Sequence, residues 1–255
     1  RDTDHVEKAF VFAGMGARNG VTSAILVQSG FTGVADVFSG ENNYFESFAP
    51  VANRELLVEV LGVRYEIELT DIKKFSVGAP IQAPLDALLI LREKHGLTAA
   101  NVQSMIARVP DDRVMIVRDR NMPDVDLKHV LAVALIDGDI TFETSHSYER
   151  MKNPAVLEVR NRITLVGDPE LRTAKIKRGG IVEITTTDGA RLREHVELVR
   201  GRPMNPMSDQ EIEQKCTDLM RPVLGEERTK NLIDQIWNLE KVKNMRDLRP
   251  LLSTP

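Results

Sequence analysis

The feature that most constrains this chain is a change of hydrophobic period that occurs twice. Up to about Gly62 the apolar residues recur at helical spacing. From Tyr65 to about residue 200 stretches of alternation interrupt the helical spacing, and beyond Pro206 the spacing is helical again. A period of 3.6 and a period of 2 send side chains to different faces, so a segment built for one does not settle as the other. The expected fold class is therefore α+β, with helices at both ends of the sequence and a mixed unit between them.

In the first part, residues 16–30 read as a helix with Gly30 as its C-cap. Phe31 to Gly33 makes a turn, Val34 to Phe38 a short helix, residues 39–43 a loop, and Phe45 to Phe48 and Asn53 to Leu61 are helix-like. In the middle, Tyr65-Glu-Ile-Glu-Leu69 alternates as a strand. Pro80 to His95 is a helix with Pro84 near its first turn and Leu85, Leu88, Leu89 and Leu91 on its buried side. Val102 to Val109 and Val114 to Val117 are strand candidates, and Leu127 to Ile136 and Pro154 to Val159 are helices. Ile163 to Val166, Ile181 to Thr186 and His195 to Val199 are strands, with Asp188-Gly189 as a hairpin turn. After the connector Gly201 to Pro206, Ser208 and Glu211 have capping-box spacing, and helices follow over 208–220, 225–237 and 244–251. The expected domains are 1–64, 65–203 and 204–255, with the outer two packing together as one helical domain.

Composition narrows the function. A formal charge of −4 lacks the basic excess of a general nucleic-acid binder, yet leaves room for a local basic pocket. The single Cys216 excludes an internal disulfide and any multi-cysteine metal site. His5, His95 and His195 show no ligand spacing, so no metal and no organic cofactor is expected. No apolar run is long enough to span a bilayer and no signal peptide opens the chain, which together predict a cytoplasmic protein without a membrane partner. The start at Arg1, without an initiator Met, reads as the later part of a longer protein.

Candidate residues each have a plain alternative. Lys8 reads equally as a solvated lysine, and Lys73 and Lys74 as a solvated basic pair at a strand end. His129 lies between Val125, Leu127 and Val130, as a core histidine would. His146, in a polar loop, suits structural hydrogen bonding. Gly14 and Gly16 lack the Gly-Lys-Ser/Thr of a phosphate loop and suit close helix packing. Met204 and Met207 suit connector packing and Trp237 the core.

Several segments, in order, resemble one family. They are Lys8…Gly14…Asn19-Gly20…Ala24…Gly30-Phe-Thr-Gly33; Lys73-Lys-Phe-Ser-Val-Gly-Ala-Pro-Ile-Gln82-Ala-Pro-Leu-Asp86; Met122-Pro-Asp-Val-Asp-Leu-Lys-His129 through Asp137-Gly138; Asn153-Pro-Ala-Val-Leu; Ile181-Val…Thr186-Thr-Asp-Gly189; and Arg202-Pro-Met-Asn-Pro206-Met-Ser208. Their order and spacing resemble the 2-methylcitrate dehydratase (MmgE/PrpD) family. The resemblance implies a helical domain built from both chain ends beside an α+β lid, and metal-free proton chemistry alpha to a carboxylate in the cleft between them. It implies a lyase eliminating from a small di- or tricarboxylate, with an epimerase or isomerase, a decarboxylase, or a catalytically silent member as alternatives. Lys8 matches the family's pocket lysine and Lys73 the lysine at the lid entry. Gln82 stands at a second lid-entry position, and His129 where relatives often carry Tyr. The roles so implied are catalysis for His129 and Lys8, and substrate binding for Lys73 and Gln82. The chain departs from the family at Gly78, where several relatives have a His. The resemblance also implies a homodimer and an earlier helical half, absent here, that completes the active site.

Overall fold

The computed structural model describes residues 10–176 and 178–253. It divides into two compact units, Arg1–Leu69 and Thr70–Pro255. The first border thus falls at Leu69/Thr70, and residues 204–255 lie within the second unit.

In the first unit, helix α1 spans Met15–Gln28. Its end is closed by two backbone bonds, Phe31 N–H to Leu26 O at 3.1 Å and Gly30 N–H to Val27 O at 3.0 Å. This is the Schellman closure, and it requires the left-handed conformation that Gly30 adopts at φ 96°. Asn43 caps the short helix Tyr44–Phe48 by accepting from the Phe45 and Glu46 amides. Two expected elements do not form. Val34 to Phe38 bends instead of coiling, because the Asp36 carboxylate takes the Phe38 and Ser39 amides at 3.0 and 3.1 Å. Tyr65 to Leu69 is not a strand: Glu66–Leu69 is a 3-10 turn, since alternation without a neighbouring strand has no ladder to join. Asn43 is the one buried residue among those described in this unit, and Val27, Phe31, Phe48, Leu61, Val63 and Ile67 all face outward.

The second unit is built on a four-stranded sheet of order β2-β1-β3-β4, comprising β1 Val102–Pro110, β2 Ile163–Asp168, β3 Gly180–Thr186 and β4 Arg191–Val196. β1 pairs with β2 in parallel and with β3 antiparallel, and β3 with β4 antiparallel. Parallel strands need a long crossover, and here it contains helices α3 Leu127–Asp137 and α4 Pro154–Asn161. Helix α2, Gln82–His95, precedes β1 and ends at Gly96, which has φ 62°. Cross-strand pairs Met105↔Ile184 and Ala107↔Val182 bury one face of the sheet with Leu85, Leu88 and Leu131. Gly180 lets the start of α2 approach β3, because a β-carbon there would come within 2.6 Å of Pro84 Cδ.

Val114–Val117 forms a helical turn, not the expected strand. Val114 and Val117 are both buried, and a spacing of three puts them on one helix face but on opposite faces of a strand. β4 begins at Arg191, earlier than expected, because Gly189 at φ 88° turns the chain at once and Thr185 pairs with Arg191. The charged Arg191 and Arg193 hide its apolar signal. Beyond the sheet, Ser208 and Glu211 make the expected capping box at the start of α5, Asp209–Leu224, and α6 spans Glu226–Trp237. Trp237 is 44% exposed and not in the core, whereas Met207 is buried.

The α3 crossover is held by one buried acid. Asp126, 0% exposed, caps α3 through the His129 amide at 2.8 Å, accepts the Arg120 amide at 2.9 Å, and pairs with Arg160 at 3.0 Å. Removing one partner of a buried pair leaves the other charge uncompensated, at a cost of about 3–5 kcal/mol. Asp126→Ala is therefore expected to lower stability by about that amount, read as a shifted midpoint in urea unfolding.

Candidate functional site

Two distant segments create one cavity of the second unit. Ile72 N–H donates to Gly201 O at 2.7 Å, and the Gly201 and Asn205 amides close a tight turn onto Asn205 O and Arg202 O, each at 2.8 Å. Thr70 to Lys73 and Val199 to Arg202, with Ala79, Gln82 and Arg178, line a cavity of about 290 Å³. Gly201, at φ 93°, is required by this approach, because a β-carbon would collide with the Ile72 carbonyl.

The cavity is rich in cations, and its acids are already engaged. Asp71 bridges Arg178 at 2.9 Å and Arg202 at 3.4 Å. Arg200 grips Glu211 through contacts of 2.6, 3.1 and 3.2 Å and also donates to Asn205 Oδ1 at 2.9 Å. The Arg200 guanidinium, helped by the Ser208 amide, holds the Glu211 carboxyl down at about 2 against the opposing effect of burial. Lys74 pairs with Asp86 at 2.7 Å. Lys73 has no carboxylate partner among the described residues, and its side chain is exposed at the cavity wall. An ammonium among arginines is suited to hold a carboxylate.

The MmgE/PrpD C-terminal domain matches residues 75–240, which include the strands, the helices above them and most of the cavity's surroundings. The chain belongs to the MmgE/PrpD family. It is similar to the cis-aconitate decarboxylase of Homo sapiens, 22% identical over an alignment 258 positions long that covers 95% of this chain and 52% of that protein. It is also similar to the cis-aconitate decarboxylase of Aspergillus terreus, 22% identical over an alignment 267 positions long that covers 95% of this chain and 54% of that protein. The chain thus spans about half the length of the curated relatives it matches.

Within this MmgE/PrpD chain the four expected site residues are not brought together as one group. Lys73 and Gln82 share the cavity. The Gln82 amide is fully engaged with the loop that precedes α2, donating to Phe75 O at 2.9 Å and Val77 O at 3.2 Å and accepting from the Phe75 amide at 3.1 Å. It shapes the loop that carries Lys73. Lys8 lies outside the described residues. His129 does not line the cavity; it is 1% exposed on α3, and neither ring nitrogen has a hydrogen-bond partner among the described residues. Burial pulls its imidazole down to about 4, with Arg160 and Arg150 adding to the effect and Asp126 opposing it.

Gly78 donates its amide to Asp124 O at 2.9 Å. With φ −53° and its nearest prospective β-carbon contact at 3.6 Å, nothing in the backbone requires glycine there. His146 is structural in its bonding: Nδ1 lies 2.9 Å from both Phe142 O and Ser145 Oγ, and the ring stacks on Phe142. Among the described residues no group of three or more His, Cys, Asp and Glu is placed to hold a metal ion, and no helix is long and apolar enough to cross a membrane.

Sequence reasoning missed Arg178, Arg200, Arg202 and Asp71. The available signal was Arg200-Gly-Arg202-Pro, a doubly basic connector around a glycine.

Two outcomes follow from this geometry. Gly201→Ala is expected to force Ile72 and Gly201 apart, lowering the melting temperature by several degrees and weakening anion binding in the cavity. His129 is neutral in the folded chain at pH 7. Between its unfolded value of 6.5 and its folded value of about 4 the unfolded state binds the extra proton, so stability is lost as pH falls through that window. His129→Met forfeits no hydrogen bond to a described residue. Its urea midpoint is expected to fall less than that of the parent protein between pH 6.5 and 4.

Proposed function

We propose that this chain is the carboxylate-holding part of an MmgE/PrpD-type lyase that acts on a small di- or tricarboxylate by abstracting a proton alpha to a carboxylate. The observation that carries this reading is the uncompensated Lys73 ammonium at a cavity lined by Arg178, Arg200 and Arg202. A carboxylate paired with these cations withdraws charge from the adjacent carbon. The carbanion formed on proton loss is stabilised by the same preorganised field. Departure of a beta hydroxyl then completes a dehydration of the 2-methylcitrate dehydratase kind.

Proton transfer in this reading is assigned to His129 and Lys8. His129 is 1% exposed and does not line the cavity, so this assignment requires a rearrangement that brings substrate to its unbonded ring nitrogens. The reaction needs no metal or organic cofactor. The outward-facing apolar residues of the first unit support the further reading that another helical segment covers them, and the family resemblance suggests that the whole works as a homodimer.

Gly78 favours a second reading. Without the lid histidine the same proton abstraction can end in epimerisation, or the carbanion can arise by decarboxylation, as the names of the two relatives suggest.

The test is incubation of the protein with a panel of di- and tricarboxylic acids in deuterated water. Deuterium uptake with loss of water is expected for the dehydratase. Uptake without net conversion indicates the epimerase, and release of carbon dioxide the decarboxylase. No uptake and no product across the panel would discard proton chemistry and leave a silent family member. Lys73→Met is expected to raise KM about tenfold or more with a smaller change in kcat, because it removes a charge-assisted contact present in both ground and transition states. His129→Gln is expected to lower kcat by about a hundredfold, and an unchanged kcat removes His129 from the mechanism.

A further inference from the structure

Helix α5 brings one more cation to Lys73. Glu211 and Lys215 stand four residues apart on α5, and glutamate four residues before lysine is the favourable orientation for a helical ion pair. That pair does not form, because the Glu211 oxygens are taken by Arg200 and the Ser208 amide at 2.7 Å. Lys215 turns instead to Lys73 and donates from Nζ to its carbonyl oxygen. No described carboxylate pairs with Lys215 or with Lys73, while Asp71, Asp86 and Glu211 are each bound to other cations. Lys215 Nζ therefore lies on the Lys73 backbone, with no described carboxylate bound to either lysine, beside the cavity that Lys73 lines together with Arg178, Arg200 and Arg202. Burial, then the nearby Lys73 charge, lowers the pKa of Lys215, as is expected of a cation held beside another.

An ammonium with no carboxylate partner at the edge of such a cavity is a ready partner for an anion. An ammonium has three donors, so Lys215 keeps two for a ligand after bonding the Lys73 carbonyl. We propose that Lys215 is a second carboxylate anchor beside Lys73, and that the two together select a substrate with an additional carboxylate over one without it. This rests on the reading of Lys73 as a carboxylate anchor. It adds a binding residue from the C-terminal helices, which sequence reasoning treated as packing.

The experiment is calorimetric titration of the protein and of Lys215→Met and Lys215→Arg with tricarballylate, succinate and propionate, which carry three, two and one carboxylates. The parent protein is expected to prefer tricarballylate to succinate and succinate to propionate. In Lys215→Met the preference for tricarballylate over succinate should shrink about tenfold, with the melting temperature unchanged, and Lys215→Arg should restore most of it. A preference untouched by Lys215→Met overturns the proposal. So does an equal loss for all three acids with a lowered melting temperature, which would make Lys215 a prop for the Lys73 backbone. Retained selectivity for tricarballylate with no deuterium exchange on any acid would sink the lyase reading and leave the anchor standing. Exchange with a KM that Lys215→Met does not alter would do the reverse.

Discussion

The cavity depends on a single backbone contact between segments far apart in sequence, the Ile72 amide on the Gly201 carbonyl at 2.7 Å. That contact lays Thr70 to Lys73 against Val199 to Arg202 and so places Asp71 between Arg178 and Arg202. Its closeness is possible because residue 201 has no β-carbon and adopts a positive φ. The turn through Asn205 then directs Arg200 toward α5, where it meets Glu211. One hydrogen bond and one glycine thereby decide which acids are neutralised and which cation remains.

Charge distribution follows from that arrangement. The net charge of −4 describes an acidic molecule, yet the walls of this cavity carry more cations than anions. Each acid near the cavity is held by an arginine or a lysine. What remains is the Lys73 ammonium, with Lys215 bonded to the Lys73 backbone carbonyl and unpaired with any described carboxylate. A small anion with several carboxylates is the natural complement to such a site, since charge-assisted bonds are strongest where both partners are fixed.

Parts of this were readable from residues alone, for identifiable reasons. Helix α2 was legible because Leu85, Leu88 and Leu91 repeat at helical spacing, with Pro84 near its first turn. The hairpin was legible at Asp188-Gly189, and the start of α5 at Ser208 and Glu211. The same local logic failed at Tyr65 to Leu69 and at Val114 to Val117. There, alternation and β-branched residues suggested strands, but a strand exists only with a neighbour to bond. It failed again at β4, where an arginine-rich edge strand lacks the apolar alternation on which recognition depends.

Lys73 and Gln82 were legible as cavity residues through their place in a family pattern, and the structure adds that Gln82 uses its amide on the loop itself. His129 illustrates the limit: its apolar neighbours suggested a core position, its helix suggested a site, and the structure buries it with its nitrogens unbonded to the described residues. By itself the sequence determined the local elements, the caps and the family, because these rest on side-chain period and on motifs within a few residues of one another. The tertiary structure alone decided which charges meet. The pairing of Asp71 with Arg178 and with Arg202 joins residues more than a hundred positions apart, and no local period or propensity encodes that distance.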